Sequence, residues 1–380
     1  MPRGMGCALA TLGAMCVASI TLVSTPARAD SMDPTPERFV SQPGGLPKGF
    51  TCQTLQQNPV AVGKLIVAKQ PVPACLPNNA AFQNLVSELG FAIAPTAFHP
   101  ARTTGFGGFV FSIEASYTKI NQDATTPGPA SQGGGVQYWH LGTQGSVDPN
   151  TGRQSIENNS PDSVIQVYSL KARKGLPFGF EITGDVSYIA NTVMWTAGAD
   201  IRWSLLEGFR TGWPSYLPDV SVGGGVRSLT GASKFSLTTV GIDAQISKPI
   251  TLADTSVLTP YLGYQRLYIF GDSSTVDLTP NTDALKQCGF TGRMANGQPA
   301  CANTLPGAAG VANNSDFNND TTFGQVRTNR HRGIIGLTYR YEVLFLAGQF
   351  LFDLTPPNDE NPGLNATRQW TTSLEAGVFF

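Results

Sequence analysis

Residues 178–204, FGFEITGDVSYIANTVMWTAGADIRWS, alternate with a period of two on both sides of an Asn-Thr break. Phe178, Phe180, Ile182, Val186 and Tyr188 share one face, opposite Gly179, Glu181, Thr183, Asp185 and Ser187. Beyond Asn191-Thr192 the pattern resumes with Val193, Trp195, Ala197, Ala199, Ile201 and Trp203, against Thr196, Gly198, Asp200, Arg202 and Ser204. Successive strand side chains point to opposite faces, so the stretch reads as a hairpin with one apolar and one charged face.

The same alternation extends outward along the chain. Phe109, Phe111, Ile113, Ala115 and Tyr117 oppose Val110, Ser112, Glu114, Ser116 and Thr118. Trp370, Leu374, Ala376, Val378 and Phe380 oppose Thr371, Ser373, Glu375, Gly377 and Phe379. Ten strands are expected at 105–121, 163–174, 178–191, 193–206, 219–229, 235–247, 256–270, 326–340, 342–353 and 368–380. An extra hairpin starting at Tyr138-Trp139 would make twelve. A soluble sandwich also alternates, but three details favour a membrane. The strands exceed the usual five or six residues and can cross a bilayer when tilted. Aromatics cluster near their ends, as interface girdles do, and the charges lie opposite the aromatics. Lys119 has apolar-face parity, yet at a strand end it can snorkel. The expected fold is an all-β, closed antiparallel transmembrane barrel over residues 105–380.

The beginning of the chain assigns the compartment. Arg3 precedes an uncharged run from Gly4 to Pro26, then Ala27-Arg28-Ala29 and Asp30. That order reads as a cleaved secretory signal over residues 1–29. A retained anchor fits the run's length, but the Ala-x-Ala site and Pro26 favour cleavage. Charged residues are 13%, against about 25% in typical soluble domains. The net charge of −1 offers no polybasic surface for nucleic acid, and no later apolar run is long enough for a membrane helix.

Signal, alternating strands and a last strand running from Trp370 to Phe380 resemble Gram-negative outer-membrane β-barrel proteins. RKGLPFGFE at 173–181 and Leu217-Pro218-Asp219-Val220 resemble uncharacterised porin-like members. The resemblance implies location in the outer membrane after export. Its implied partners are outer-membrane lipids and the barrel-assembly machinery, which would read Phe380 as its signal.

An even barrel keeps both barrel ends in the periplasm, with short turns there and long loops outside. Residues 174–177, 248–254 and 340–342 fit the short turns, and 122–162 and 271–325 the long loops; 209–217 is longer than the rule prefers. Residues 30–104 read as a periplasmic segment with one helical pattern, Phe82, Leu85, Val86 and Leu89, stopped by Gly90. A helix on the periplasmic rim is favoured over a lumenal plug, on packing grounds. Four cysteines follow the signal. Cys52 and Cys75 would be periplasmic and Cys288 and Cys301 external, so Cys52–Cys75 and Cys288–Cys301 disulfides are expected.

Chemistry is sparse, and the chain is not expected to be an enzyme. His331 lies in Arg330-His331-Arg332 with lipid-face parity, better placed as a rim residue than as a base. No G-x-S-x-G occurs. Asp316, Asn318 and Asp320 have calcium-loop spacing, but Thr321 and Arg327 stand where Gly and Glu are needed. Neither metal nor cofactor is expected. Glu114, Glu181, Asp185, Asp200, Asp243 and Glu375 with Arg202, Arg227, Arg332 and Arg340 read as a lumenal charge network, because buried charges need partners. The functional expectation is porin-like passage of small solutes through a narrow lumen. The alternative is a non-conducting structural or surface-interaction barrel, since ten strands scarcely exceed the eight that side chains fill.

Overall fold

The computed structural model describes residues 30–41, 76–96, 99–129, 133–145, 157–208, 216–253, 255–278, 290–293, 299–301 and 320–380. Ten long strands form its wall: β1 (Phe109–Lys119), β2 (Val164–Gly175), β3 (Phe180–Ile189), β4 (Trp195–Leu206) and β5 (Asp219–Thr230). They continue with β6 (Phe235–Ser247), β7 (Ser256–Ser273), β8 (Val326–Tyr341), β9 (Leu344–Asp353) and β10 (Trp370–Phe379). Each pairs antiparallel with its sequence neighbours, and β10 closes on β1 from Thr371↔Thr118 to Phe379↔Val110. One further short strand, Ile250–Ala253, pairs with the start of β7 outside the ring. The expected barrel is therefore present, with ten strands. Tyr138-Trp139 starts no hairpin; it opens a one-turn helix, α2 (Tyr138–Gly142).

We call the end where β1 starts and β10 finishes the near end, and the other the far end. Near-end turns include the two residues Glu342 and Val343, with Glu342 at φ 50°. The third strand begins at Phe180, two residues later than the pattern suggests. Phe178 and Gly179 have φ of 62° and 75°, a left-handed conformation that cannot continue a strand.

The wall is polar inside and apolar outside, the reverse of a soluble protein. Leu346, Ile113 and Leu374 are 60–62% exposed, while Glu114, Arg227 and Glu375 are each 3% exposed. Such a continuous apolar exterior has a favourable solvent only in lipid. Phe180 stacks on Trp203 at 5.5 Å on the near-end exterior. At the far end Tyr188 lies 5.0 Å from Trp195, so aromatics flank the apolar band at both levels.

The helix α1 (Asn79–Ile93) departs from the expected placement. It sits inside the far end of the barrel, against inward-facing Leu267, Ile269, Phe235 and Leu237, all in one buried cluster with Phe82, Leu85, Val86 and Leu89. It also runs three residues past Gly90. That glycine does not stop the helix; it lets it touch the wall. A Cβ at Gly90 would collide with Ile269, and one at Gly271 would meet Val86 at 2.5 Å. The far-end cap is completed by α2 and by residues 30–41. Met32 N donates to Asn191 O at 3.0 Å, and Asn78 N to Phe39 O at 2.8 Å.

Candidate functional site in the barrel lumen

From α1 the chain turns extended at Ala94-Pro95 and reaches Gly105 at the near end, so residues 94–96 and 99–104 lie along the lumen. Its prolines, Pro95 and Pro100, have no amide hydrogen and resist helix. An extended segment with no strand beside it leaves its carbonyls to be satisfied by other groups, and the wall's side chains supply the donors. Arg332 Nη2 donates to Pro95 O at 2.6 Å, and Gln265 Nε2 to the same oxygen at 3.2 Å. Gln349 Nε2 donates to Thr96 O. Arg202 Nη1 donates to His99 O at 3.0 Å and Pro100 O at 3.2 Å.

The segment's own donors find wall acceptors. Thr96 Oγ1 donates to Glu114 Oε2 at 3.2 Å and accepts from Lys171 Nζ at 3.0 Å. Ala101 N donates to Ser247 Oγ at 3.0 Å, and Thr104 N to Glu181 Oε2 at 2.8 Å. Thr103 donates to Glu207 Oε1 through both N and Oγ1, at 2.6 and 2.7 Å. Strands β1, β2, β3, β4, β6, β7, β8 and β9 all hold it.

Beneath these contacts lies the charge network. Glu114 pairs with Lys171. Arg227 bridges Asp185 at 2.9 Å and Asp200 at 2.6 Å, and Arg202 meets Asp243 at 3.3 Å. Arg173 lies 3.5 Å from Glu375, whose Oε1 also accepts from Ser112. Glu181 faces His99 at 3.5 Å. Arg332 contacts Gln265. Arg340 stands apart at the near mouth, over the Phe379 ring at 4.2 Å. Sequence reasoning missed Lys171, Arg173, Arg330 and Asp353. The first two share inward parity with Ser169 in β2, and that alternation was the available signal.

At the far end Arg330 pairs with Asp353, and the Phe91 ring lies under two guanidiniums, Arg330 at 4.4 Å and Arg332 at 5.0 Å. Glu88 accepts from Tyr138 Oη at 2.6 Å and Trp139 Nε1 at 2.7 Å. Burial pushes the Glu88 carboxyl above its ordinary range.

His331 lies outside the lumen, between Tyr264 and Glu360. Among the described residues no cluster of His, Cys, Asp and Glu is arranged to hold a metal ion. Residues 1–29, Cys52, Cys75, Cys288 and Asp316–Asn318 fall outside the described residues, as does the side chain of Cys301. Ser41 and Leu76, which bound residues 42–75, pair with each other at the far end, where the short strands Val276–Asp277 and Asp320–Thr321 also pair.

No family model matches the chain, and no curated protein matches it. Solved structures similar to it are distant. Ail, the attachment invasion locus protein of Yersinia pestis, aligns at 10% identity with a TM-score of 0.24, over 72% of this chain and 99% of its own. The N-terminal β-barrel domain of Pseudomonas aeruginosa OprF aligns at 10% and 0.23, over 71% and 97%. The outer membrane protease OmpT from Escherichia coli aligns at 6% and 0.30, over 72% and 95%. An attachment protein and a protease name no common activity.

Proposed function

We propose that the protein is an outer-membrane barrel held closed by its own N-terminal segment, a non-conducting structural or surface-interaction protein that displays its far-end cap outside the cell. The observation that carries this is the occupied lumen: residues 94–96 and 99–104 are bonded to eight wall strands, with α1 packed above them. Passive passage of small solutes would require that segment to leave the lumen. Departure would strip the buried arginines and carboxylates of partners, and uncompensated buried charge is costly.

Lipid is the natural neighbour of the exterior. Phe380 fits an assembly signal: its ring is exposed beside Phe109 at 6.2 Å, and its backbone exchanges hydrogen bonds with Phe109 across the β10–β1 seam. The test is liposome swelling with the refolded full-length chain. Vesicles carrying it should swell in isotonic arabinose no faster than empty ones. Swelling that scales with protein content would overturn the proposal in favour of passage.

A further inference from the structure

At the near mouth the described residues leave the lumen unfilled. A cavity of about 420 Å³ opens there, within the range of small-ligand sites, its floor formed by residues of His99–Thr104 and its walls by β2, β7, β8, β9 and β10. Three arginines line it, Arg102, Arg173 and Arg340, with His99 at the floor and Glu342 the one carboxylate among the described lining residues. Glu375 and Asp219, which pair with Arg173 and Arg102, stand outside the lining. Positive charge therefore dominates the concave surface, and low-dielectric walls focus such a field.

Arg173 is the decisive group. It is 5% exposed, yet its Nε has no hydrogen-bond partner. A buried guanidinium donor left without an acceptor is costly. Its forked geometry matches a carboxylate or phosphate. The remaining lining combines five threonines with an apolar side made by Phe345, Phe379, Val257 and Pro100.

We propose that this mouth binds a small soluble organic anion, one carboxylate or phosphate on an apolar body, with Arg173, Arg340 and Arg102 receiving the charge and Phe345 and Phe379 bordering the apolar part. This goes beyond the closed-barrel reading and rests on it for the cavity's floor and Arg102, which the lumenal segment supplies; vesicle swelling tests that reading separately from anion binding.

The test is isothermal titration of the refolded full-length protein in detergent micelles with phenyl phosphate, beside uncharged benzyl alcohol. Saturable binding of one equivalent of phenyl phosphate is expected, at least about tenfold tighter than benzyl alcohol. Arg340→Gln or Arg102→Gln should weaken it by about tenfold, the scale of one charge-assisted contact. Both side chains are substantially exposed, and a retained gel-mobility shift on heating verifies that each variant is folded. The inference fails if phenyl phosphate does not saturate, if benzyl alcohol binds equally, or if both folded variants keep full affinity.

Discussion

The guanidinium of Arg332 in β8 donates to the carbonyl oxygen of Pro95 at 2.6 Å, joining the barrel wall to the segment that runs through it. Both groups are buried. With Arg332→Met, Pro95 O keeps only the longer bond from Gln265, and Gln265 Oε1 loses its donor. Leaving buried acceptors short of partners costs about 1–3 kcal/mol. Urea unfolding in micelles should show that loss for Arg332→Met. Arg327→Met, at an exposed outward position on the same strand, should stay within about 0.5 kcal/mol of wild type.

Phe91 tests the cap by a different route. Its ring lies beneath Arg330 and Arg332, and desolvated cation–π contacts are worth about 0.5–2 kcal/mol each. Phe91→Leu keeps an apolar side chain but removes both contacts. A stability loss of about 1–3 kcal/mol is expected from the midpoint of the heat-induced mobility shift, and an unchanged midpoint would mean the stacking contributes nothing.

Glu88 sets a pH dependence. Burial raises its carboxyl above the ordinary value of 4.5 in the folded protein, so the native state holds this proton to higher pH than the unfolded chain does. Its contribution is fully present below about 4.5 and is lost as pH rises through the raised folded value. Glu88→Gln cannot titrate, so its unfolding free energy should fall less over that interval than the wild type's. Parallel profiles for the two proteins would refute the assignment.

On the exterior, Leu374 lies mid-strand in β10, opposite Ala115 and Gly348. Replacing it by Arg places a charge in the apolar band, at about 2–4 kcal/mol near mid-bilayer. Urea titration in phosphatidylcholine vesicles should show that cost for Leu374→Arg. If the barrel did not sit in lipid, the same exposed position would tolerate arginine.

The wall was legible because a half-lipid, half-lumen strand writes its two faces as strict alternation: Phe180 to Tyr188 and Trp195 to Trp203 need no further context. The plug was hidden because it breaks that rule. Leu267 and Ile269 in β7, Phe235 and Leu237 in β6, and Val326 in β8 are apolar on lumen parity near the far end. From sequence these blurred the alternation; in the fold they are the socket for α1. Glu181, Arg202 and Asp243 could be placed in the lumen by parity, but their partners could not. Those partners include backbone atoms of His99, Pro100 and Thr104, and carbonyls have no sequence signature. Gly90 misled for a related reason: it was chosen by contact with Ile269, and local propensity alone reads it as a stop.

The most direct measurement is single-channel recording of the refolded full-length chain in a planar lipid bilayer at 1 M KCl. A lumen occupied by residues 94–96 and 99–104 should give a silent membrane at moderate voltage, with insertion verified by protease protection of the protein in vesicles of the same lipid. Stable, stepwise conductance from the intact folded protein would contradict a barrel closed by its own chain.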